Sequence, residues 1–260
     1  MKYVLSDIHG NMEAWESIKS QIMLGKKDDL YILGDVIDRG LFGIEILEEI
    51  MRKPNMHMLL GNHEYMMLNA LNVPYVIGDP SYTDYTQLER MSLWFHNGGE
   101  PTYRDWQDLN AIERGNLLDF LKGLPLNMEV EANKKTFVMV HANSAELIAS
   151  ILRKNFVKDE QQSAKIAYFA VWDRDHLALS NTYYERRNKI MIFGHTPTIH
   201  FDSSLNEWRN DEPFLNVYKW KRGHLIGIDC GAGLGDARAN GKQGRLSCIC
   251  LDTMKVFYSR

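Results

Sequence analysis

Six acidic, amide and imidazole side chains follow directly on short runs of strand-like composition. They are Asp7, His9, Asp35, Asn62, His141 and His195. Oxygen and imidazole ligands without thiolate suit Mn, Fe or Zn ions. Two ions about 3.5–4 Å apart need a bridging oxygen, which a carboxylate such as Asp35 can supply. The residue types therefore predict a site for two divalent metal ions, with Mn²⁺ as the first candidate and Fe or Zn as alternatives.

The spacing of these residues supports a common site. Asp7 and His9 occupy alternate positions as the chain leaves a strand, so both side chains can turn toward one ion. Residues 34–40 read Gly-Asp-Val-Ile-Asp-Arg-Gly and place two carboxylates and a guanidinium on a turn bounded by glycines, which permit sharp geometry. Each histidine alone would be explained as an ordinary core or surface residue. Their joint placement after separate strands favours the metal site.

Strand-like and helical patterns alternate three times in residues 2–71. The predicted strands are residues 2–6, 30–34 and 57–61, and the predicted helices are residues 12–24, 44–51 and 64–71. This order predicts a βαβαβ unit with a mostly parallel sheet. Ligands bind outside the carboxyl ends of strands in such sheets, so three segments would deliver polar groups to one edge.

Residues 72–125 are predicted to form an insertion over or beside that edge, with helices at 86–96 and 111–121. Only one helix is expected within 72–106, where proline, glycine and aromatic residues are frequent. The aromatic residues could form a wall that faces the substrate, although packing of the insertion onto the body is favoured. These residues are Tyr75, Tyr82, Tyr85, Trp94 and Trp106.

The second half of the chain is rich in predicted strands, and we expect residues 1–260 to form a single α/β domain. The strands are residues 136–140, 189–193, 225–228, 245–251 and 255–258, with helices at 145–152 and 161–169 and a surface excursion at 201–221. Cys248 and Cys250 alternate with their neighbours, which favours burial on one core face over a thiolate site.

Bulk composition excludes some classes of partner. The formal net charge of −4 over 260 residues gives no field that would attract nucleic acid or an anionic membrane. The apolar run at residues 1–5 is too short for a signal peptide, and no segment is long enough to cross a bilayer. Three cysteines are an odd count for a disulfide framework. A cytoplasmic location is therefore expected, while the oligomeric state stays open.

Several segments resemble the signature blocks of the phosphoprotein phosphatase family of calcineurin-like metallophosphoesterases. They read Ser-Asp-Ile-His-Gly at 6–10, Gly-Asp-Val-Ile-Asp-Arg-Gly at 34–40, Gly-Asn-His-Glu at 61–64, Val-His-Ala-Asn around His141 and Gly-His-Thr-Pro at 194–197. Segments 97–99, 124–126, 171–174 and 228–231 are similar to bacterial and phage members. Ser6 stands where many members have glycine, so the branch and the substrate stay open.

The resemblance implies a central β-sandwich of mixed sheets flanked by helices. It also implies that Asp7, His9 and Asp35 hold the first ion, and that the second is held by Asp35 with Asn62, His141 and His195. His63 would be the general acid, oriented by Asp38, and Arg39 would bind the phosphoryl oxygens. Arg174 is similar to the family's second phosphate-binding arginine, with Arg186 or Arg187 as competitors.

The expected activity is metal-dependent hydrolysis of a phosphoprotein or small phosphate ester, with serine/threonine protein phosphatase as the first candidate. A hydroxide between the ions would attack phosphorus directly. One alternative is a symmetrical diadenosine tetraphosphate hydrolase, a branch that commonly has glutamine in place of His9. Another is an inactive phosphopeptide-binding scaffold. The glycine-rich residues 231–235 are interpreted as a loop beside the metal edge, because they lack the Lys-Ser/Thr of a P-loop.

Overall fold

A computed structural model gives the structure of the protein over residues 1–76, 79–153, 160–175, 177–202, 206–208, 214–220, 223–234 and 243–260. The strands of these segments form two five-stranded sheets. Each sheet contains both parallel and antiparallel pairs. Helices cover the outer faces of the sheets. This is the α/β sandwich of mixed sheets, flanked by helices, that the sequence predicts.

The first sheet contains the predicted βαβαβ unit. Strands β1 (Lys2–Leu5), β2 (Asp29–Ile32) and β3 (Met56–Met58) pair in parallel. Helices α1 (Met12–Ile22) and α2 (Gly43–Arg52) connect them, and α3 (Asn62–Ala70) follows β3. Antiparallel strands β9 (Ser247–Cys250) and β10 (Lys255–Tyr258) extend the sheet beyond β1.

The second sheet has the order β4-β5-β6-β8-β7. These strands span Asn127–Ala132 (β4), Lys135–Val140 (β5), Lys189–Phe193 (β6), Tyr218–Lys219 (β7) and Leu225–Gly227 (β8). The predicted strands at 136–140, 189–193 and 225–228 are confirmed. The edge strand β4 was not predicted, because only Val130 and Ala132 of its six residues are buried. An edge strand with so few buried residues leaves a weak hydrophobic signal.

The core between the sheets follows the period-two alternation of strands. Phe137 and Met139 of the second sheet pack in one cluster with Val4 and Ile249 of the first sheet, while Val138 lies in a separate cluster on the outer face. Cys248 and Cys250 are buried on the opposite face of β9, among residues that pack against the helices. Their predicted burial on one core face is therefore confirmed.

The insertion contains more helix than the sequence predicts. Its helices are α4 (Pro80–Thr83), α5 (Gln87–His96), α6 (Glu100–Asp108) and α7 (Ala111–Gly123). The expectation of one helix within 72–106 is wrong because Pro101 occupies the first turn of α6, where its missing N–H is tolerated. Trp94 and Trp106 are buried in the core, as the packing interpretation predicts, whereas Tyr85 is exposed.

Helices α8 (Ala145–Arg153) and α9 (Glu160–Trp172) confirm the two helices predicted after β5. Helix α10 (Leu177–Glu185) was not predicted. Parts of the predicted surface excursion, at 203–205, 209–213 and 221, lie outside the described residues, as does residue 235 of the glycine-rich segment. Over the segments that are described, every helix is too short or too polar to cross a membrane.

Candidate binuclear metal site

The carboxyl ends of strands from both sheets meet at a cavity of about 310 Å³. Five of the six predicted ligands line it, namely Asp7, His9, Asp35, Asn62 and His195. The sixth, His141, is fully buried behind them, with Nε2 3.4 Å from Asp35 Oδ1. The first sheet supplies the segments that follow β1, β2 and β3, and the second sheet supplies those that follow β5 and β6. The structure thus brings the six predicted residues together in one place.

The backbone at these strand ends is left-handed at several residues that are not glycine. The φ angles are 56° at Asp7, 51° at His9, 54° at Asp35 and 60° at His195. Such conformations cost about 1–3 kcal/mol each and persist where the surroundings enforce them. Here the turns cross-link the two sheets, because the His195 N–H donates to Asp7 Oδ2 over 3.1 Å. The strained turns aim the side chains of separate strands into one space.

One group of possible ligands lies around His9 and Asp35. The Nε2 atom of His9 lies 3.7 Å from Asp35 Oδ2 and 4.0 Å from Asp7 Oδ1. The Nδ1 atom of His9 lies 3.1 Å from the carbonyl oxygen of Ile37, to which it can donate. That bond fixes the tautomer and leaves the Nε2 lone pair directed toward the carboxylates. His63 belongs to the same group of atoms.

A second group lies on the other side of Asp35, around Asn62. The Oδ1 atom of Asn62 lies 2.9 Å from His141 Nε2 and 2.8 Å from His195 Nδ1. The Nδ1 atom of His141 lies 2.7 Å from the carbonyl oxygen of Leu33, so its Nε2 is the free ligand atom. Since Asp35 belongs to both groups, it is the residue able to bridge two ions.

Burial shifts the pKa values of the possible metal ligands. It raises the pKa of Asp7 and of Asp35 well above the usual value, because the charged form loses hydration. It lowers the pKa of His141 to about 3 and that of His195 well below the usual value. The imidazoles are thus neutral ligands, and clustered buried carboxylates favour a bound cation. Divalent metal ions fit these residues.

His63 forms a chain of contacts with the turn after β2. Its Nδ1 atom donates to Asp38 Oδ2 over 2.7 Å, and its Nε2 atom lies 3.1 Å from Arg39 Nη2. Trp94 Nε1 also donates to Asp38 Oδ2, over 2.8 Å. His63 Nε2 lies 3.8 Å from Asp35 Oδ2, so this series of contacts ends beside the carboxylate that could bridge two metal ions.

Arg174 lines the cavity, and its side chain is exposed. Its Nε donates to His195 Nε2 over 3.2 Å. Arg187 instead stacks on Tyr183, with Cζ 3.6 Å from the ring centroid. Neither Arg186 nor Arg187 is among the described residues that line the cavity. Of the three arginines considered from the sequence, Arg174 is the one placed to contact a ligand there.

Sequence reasoning assigned no part in metal binding or proton transfer to three residues at this site. Asp229 lines the cavity, and burial raises its pKa to about 6. Glu64 is fully buried and accepts hydrogen bonds from backbone N–H groups of the loops after β2 and β3. Trp94 is the third. Asp229 follows the end of β8, so the strand-end rule that selected the other ligands could also have selected it. The described part of the glycine-rich segment, with Gly233, lines the cavity as expected.

Known proteins resemble this chain over part or all of its length. A family model of the calcineurin-like phosphoesterases matches residues 3–225. A symmetrical bis(5'-nucleosyl)-tetraphosphatase from Paracidovorax citrulli is 28% identical over 144 residues, covering 54% of this chain and 43% of that protein. The chain spans about half the length of the curated relatives it matches.

Solved structures share the fold at low sequence identity. The cold-active protein-tyrosine phosphatase of a Shewanella species has a TM-score of 0.51 and 18% identity, covering 100% of this chain and 80% of that one. A protein serine/threonine phosphatase from Saccharomyces cerevisiae has a TM-score of 0.53 and 12% identity, covering 100% and 79%. The structural likeness shows the fold, and the family model shows the family. The chain belongs to the calcineurin-like phosphoesterases, a family of phosphoester hydrolases that use divalent metal ions.

Proposed function

We propose that the protein is a two-metal phosphomonoester hydrolase whose first candidate substrates are phosphoserine and phosphothreonine proteins. The arrangement around Asp35 carries the proposal. Its carboxylate lies between two groups of neutral histidines, and His63 and Arg39 approach the same cavity. Bound metal, proton donor and phosphate-binding cation would then act on one phosphoryl group.

The two ions would share Asp35 as a ligand. The first would be held by Asp7, His9 and Asp35, and the second by Asp35, Asn62, His141 and His195. When bound, such ions lower the pKa of a water molecule between them and offset the charge of the phosphoryl group. We propose Mn²⁺ as the ion, because oxygen and imidazole ligands suit it.

The remaining side chains would bind the substrate and protonate the leaving group. Arg39 and Arg174 line the cavity and can donate charge-assisted hydrogen bonds to phosphoryl oxygens. Burial lowers the pKa of His63, while the carboxylate of Asp38 opposes that shift. Asp38 fixes the ring by accepting from Nδ1, so Nε2 is the atom that would give a proton to the leaving oxygen.

A nucleoside polyphosphate is the second candidate substrate. It is supported by the relatives named as symmetrical bis(5'-nucleosyl)-tetraphosphatases, which include proteins from Paracidovorax citrulli and Delftia acidovorans. His9 weakens it, because it stands where that branch commonly has glutamine. The phosphoprotein proposal therefore keeps the first place, and the substrate test below compares both.

The first experiment measures hydrolysis of p-nitrophenyl phosphate by metal-stripped protein, with and without added Mn²⁺. We expect strong Mn²⁺-dependent turnover in the wild type and its loss in His63→Asn and Asp35→Asn. His57→Asn is the matched control, because His57 lies at the protein surface beside Asp29. Phosphopeptides and diadenosine tetraphosphate are then ranked by kcat/KM. Metal binding without turnover of any of these esters would support the inactive scaffold instead.

A further inference from the structure

One side chain of the insertion contacts the buried, hydrogen-bonded pair of Asp38 and His63 beside the cavity. Trp94, on α5, is fully buried. Its indole N–H donates to Asp38 Oδ2 over 2.8 Å, and the same oxygen accepts from His63 Nδ1 over 2.7 Å. One carboxylate oxygen therefore joins the insertion to the ring that faces the cavity.

The other carboxylate oxygen of Asp38 takes no part in these two hydrogen bonds. Asp38 Oδ1 is buried and has no hydrogen-bond partner among the described residues. The orientation of the carboxylate thus depends on the two donors at Oδ2. Without the indole N–H, His63 would be the single side-chain donor among the described residues left to hold the Asp38 carboxylate. A carboxylate held by one bond can rotate, and the imidazole that it orients would rotate with it.

The backbone of the same turn is also held by the insertion. The Asp38 N–H donates to Thr102 Oγ1 on α6 over 2.9 Å, and the Arg39 N–H donates to the carbonyl oxygen of Gly98 over 2.8 Å. The φ angles of Asp38 and Arg39 are 72° and 67°, conformations that non-glycine residues adopt at a cost. These contacts keep the turn in place, so the Trp94 bond acts on a backbone that is already fixed.

We propose that Trp94 is a positioning residue for the proton donor. Its N–H orients the Asp38 carboxylate, which holds His63 Nε2 toward the leaving oxygen. The proposal rests on the proposed function, because it requires His63 as general acid. In that step the oxygen of a hydroxide ion forms a bond to phosphorus and the bond from phosphorus to the leaving oxygen breaks. The proton of His63 Nε2 moves to that oxygen, which departs as an alcohol.

The test compares leaving groups in the protein loaded with Mn²⁺. A phosphoserine peptide has a poor leaving group that needs a proton, whereas 2,4-dinitrophenyl phosphate releases an anion that is stable without one. We expect Trp94→Phe to lower kcat about tenfold to a hundredfold for the peptide and less than about threefold for the dinitrophenyl ester. His63→Asn should show the same contrast with a larger loss.

Two further proteins separate positioning from packing. Benzothienylalanine at position 94 keeps the bicyclic shape and lacks the N–H, so it should reproduce the contrast with an unchanged melting temperature. Trp106→Phe is the matched control, since over the described residues no hydrogen bond joins Trp106 to Asp38 or His63. It should leave both values of kcat unchanged. The Mn²⁺ affinity, measured by calorimetry, should be the same in all of these proteins.

The possible results are distinguishable. Equal losses for both esters, or normal turnover of the peptide with benzothienylalanine, would overturn the role of Trp94 while His63 kept its own contrast. If His63→Asn showed no dependence on the leaving group, the general-acid part of the proposed function would fail first. A drop in Mn²⁺ affinity in Trp94→Phe would also contradict the proposal, because the role is confined to proton donation.

Discussion

The main-chain N–H of Asp35 donates a hydrogen bond to Glu64 Oε2 over 2.9 Å. The same buried carboxylate accepts from the N–H groups of Val36 and Gly61, over 2.8 Å and 3.1 Å. Glu64 therefore ties the loop after β2 to the loop after β3. Through these bonds it sets the separation between Asp35 and Asn62, which the second proposed ion would join.

Replacement of Glu64 should destabilise the protein strongly. Glu64→Ala leaves several buried N–H groups without a partner, and we expect the free energy of unfolding to fall by roughly 3 kcal/mol or more. Urea denaturation of the metal-free protein measures this loss. Glu89→Ala is the control, because Glu89 occupies the same third position of α5 but is exposed, and its loss should be much smaller. Equal losses would contradict the role given to Glu64.

The stability contributed by Glu64 should depend on pH. Burial raises its pKa from 4.5 to about 7 in the folded protein. The folded state then holds a proton that the unfolded state releases, so this contribution is present below about pH 4.5 and is lost as the pH rises through about 7. The full effect is up to about 3.5 kcal/mol, at about 1.4 kcal/mol per unit of pKa.

Glu64→Gln removes this ionisation. Urea denaturation of the metal-free proteins across that pH window should show the wild type losing stability relative to the variant as the pH rises. The comparison of the two proteins cancels the titration of buried groups that do not interact with Glu64. A difference in stability that stays constant with pH would show that Glu64 is ionised throughout.

If Asp35 is a ligand of both metal ions, its replacement should weaken the binding of both. We expect the wild type to bind two Mn²⁺ ions per chain, Asp35→Asn to weaken both, and His195→Ala to weaken one. Equilibrium dialysis measures the stoichiometry and the affinities. An excess of Mn²⁺ about a hundred times the dissociation constant of each site should stabilise the wild type by about 3 kcal/mol per site, or roughly 5 kcal/mol for two sites, which thermal unfolding reports.

His57→Ala is the control for metal binding, because His57 pairs with Asp29 at the surface. It should bind Mn²⁺ as the wild type does. Two ions bound with normal affinity by Asp35→Asn would contradict a shared carboxylate.

Substitution of the two arginines that line the cavity should change catalysis or phosphate binding, whereas substitution of Arg187 should change neither. Arg39→Lys should lower kcat/KM for p-nitrophenyl phosphate about a hundredfold, because lysine cannot make the bidentate bonds of a guanidinium. Arg174→Ala should weaken inhibition by inorganic phosphate. Arg187→Ala should change either value by less than about twofold, since Arg187 stacks on Tyr183. Normal kinetics in Arg39→Lys would remove that residue from phosphate binding.

The parts of the fold that could be predicted are those with strong local patterns. The strands β1, β2 and β3 are short apolar runs that end before polar residues, so their existence was readable, although the predicted β2 and β3 run two and three residues past the observed ends at Ile32 and Met58. Helix α6 was missed because Gly98, Gly99 and Pro101 indicate a loop when taken alone, although proline fits the first turn of a helix. Strand β4 was missed because an edge strand carries few buried residues.

The candidate site likewise contains residues that local sequence patterns predict and contacts that they do not. Asp7, Asp35 and His195 lie where strands end, a position that sequence reveals. The contact of Trp94 with Asp38 joins residues 56 positions apart and depends on how the insertion packs, which no local pattern encodes. Glu64 looked like one more helical residue, since nothing near it in sequence shows that its carboxylate faces the backbone of another loop.

The cavity draws its polar side chains from both sheets, with Asp7 and Asp35 after strands of one and His141 and His195 after strands of the other. A chain that has folded one sheet alone carries an incomplete ligand set. Under the proposed function, catalysis can begin only after the sandwich has closed, so the appearance of activity would time the last step of folding. Bound metal ions would then also link the two sheets, and removal of the metal would weaken the packing of one sheet against the other.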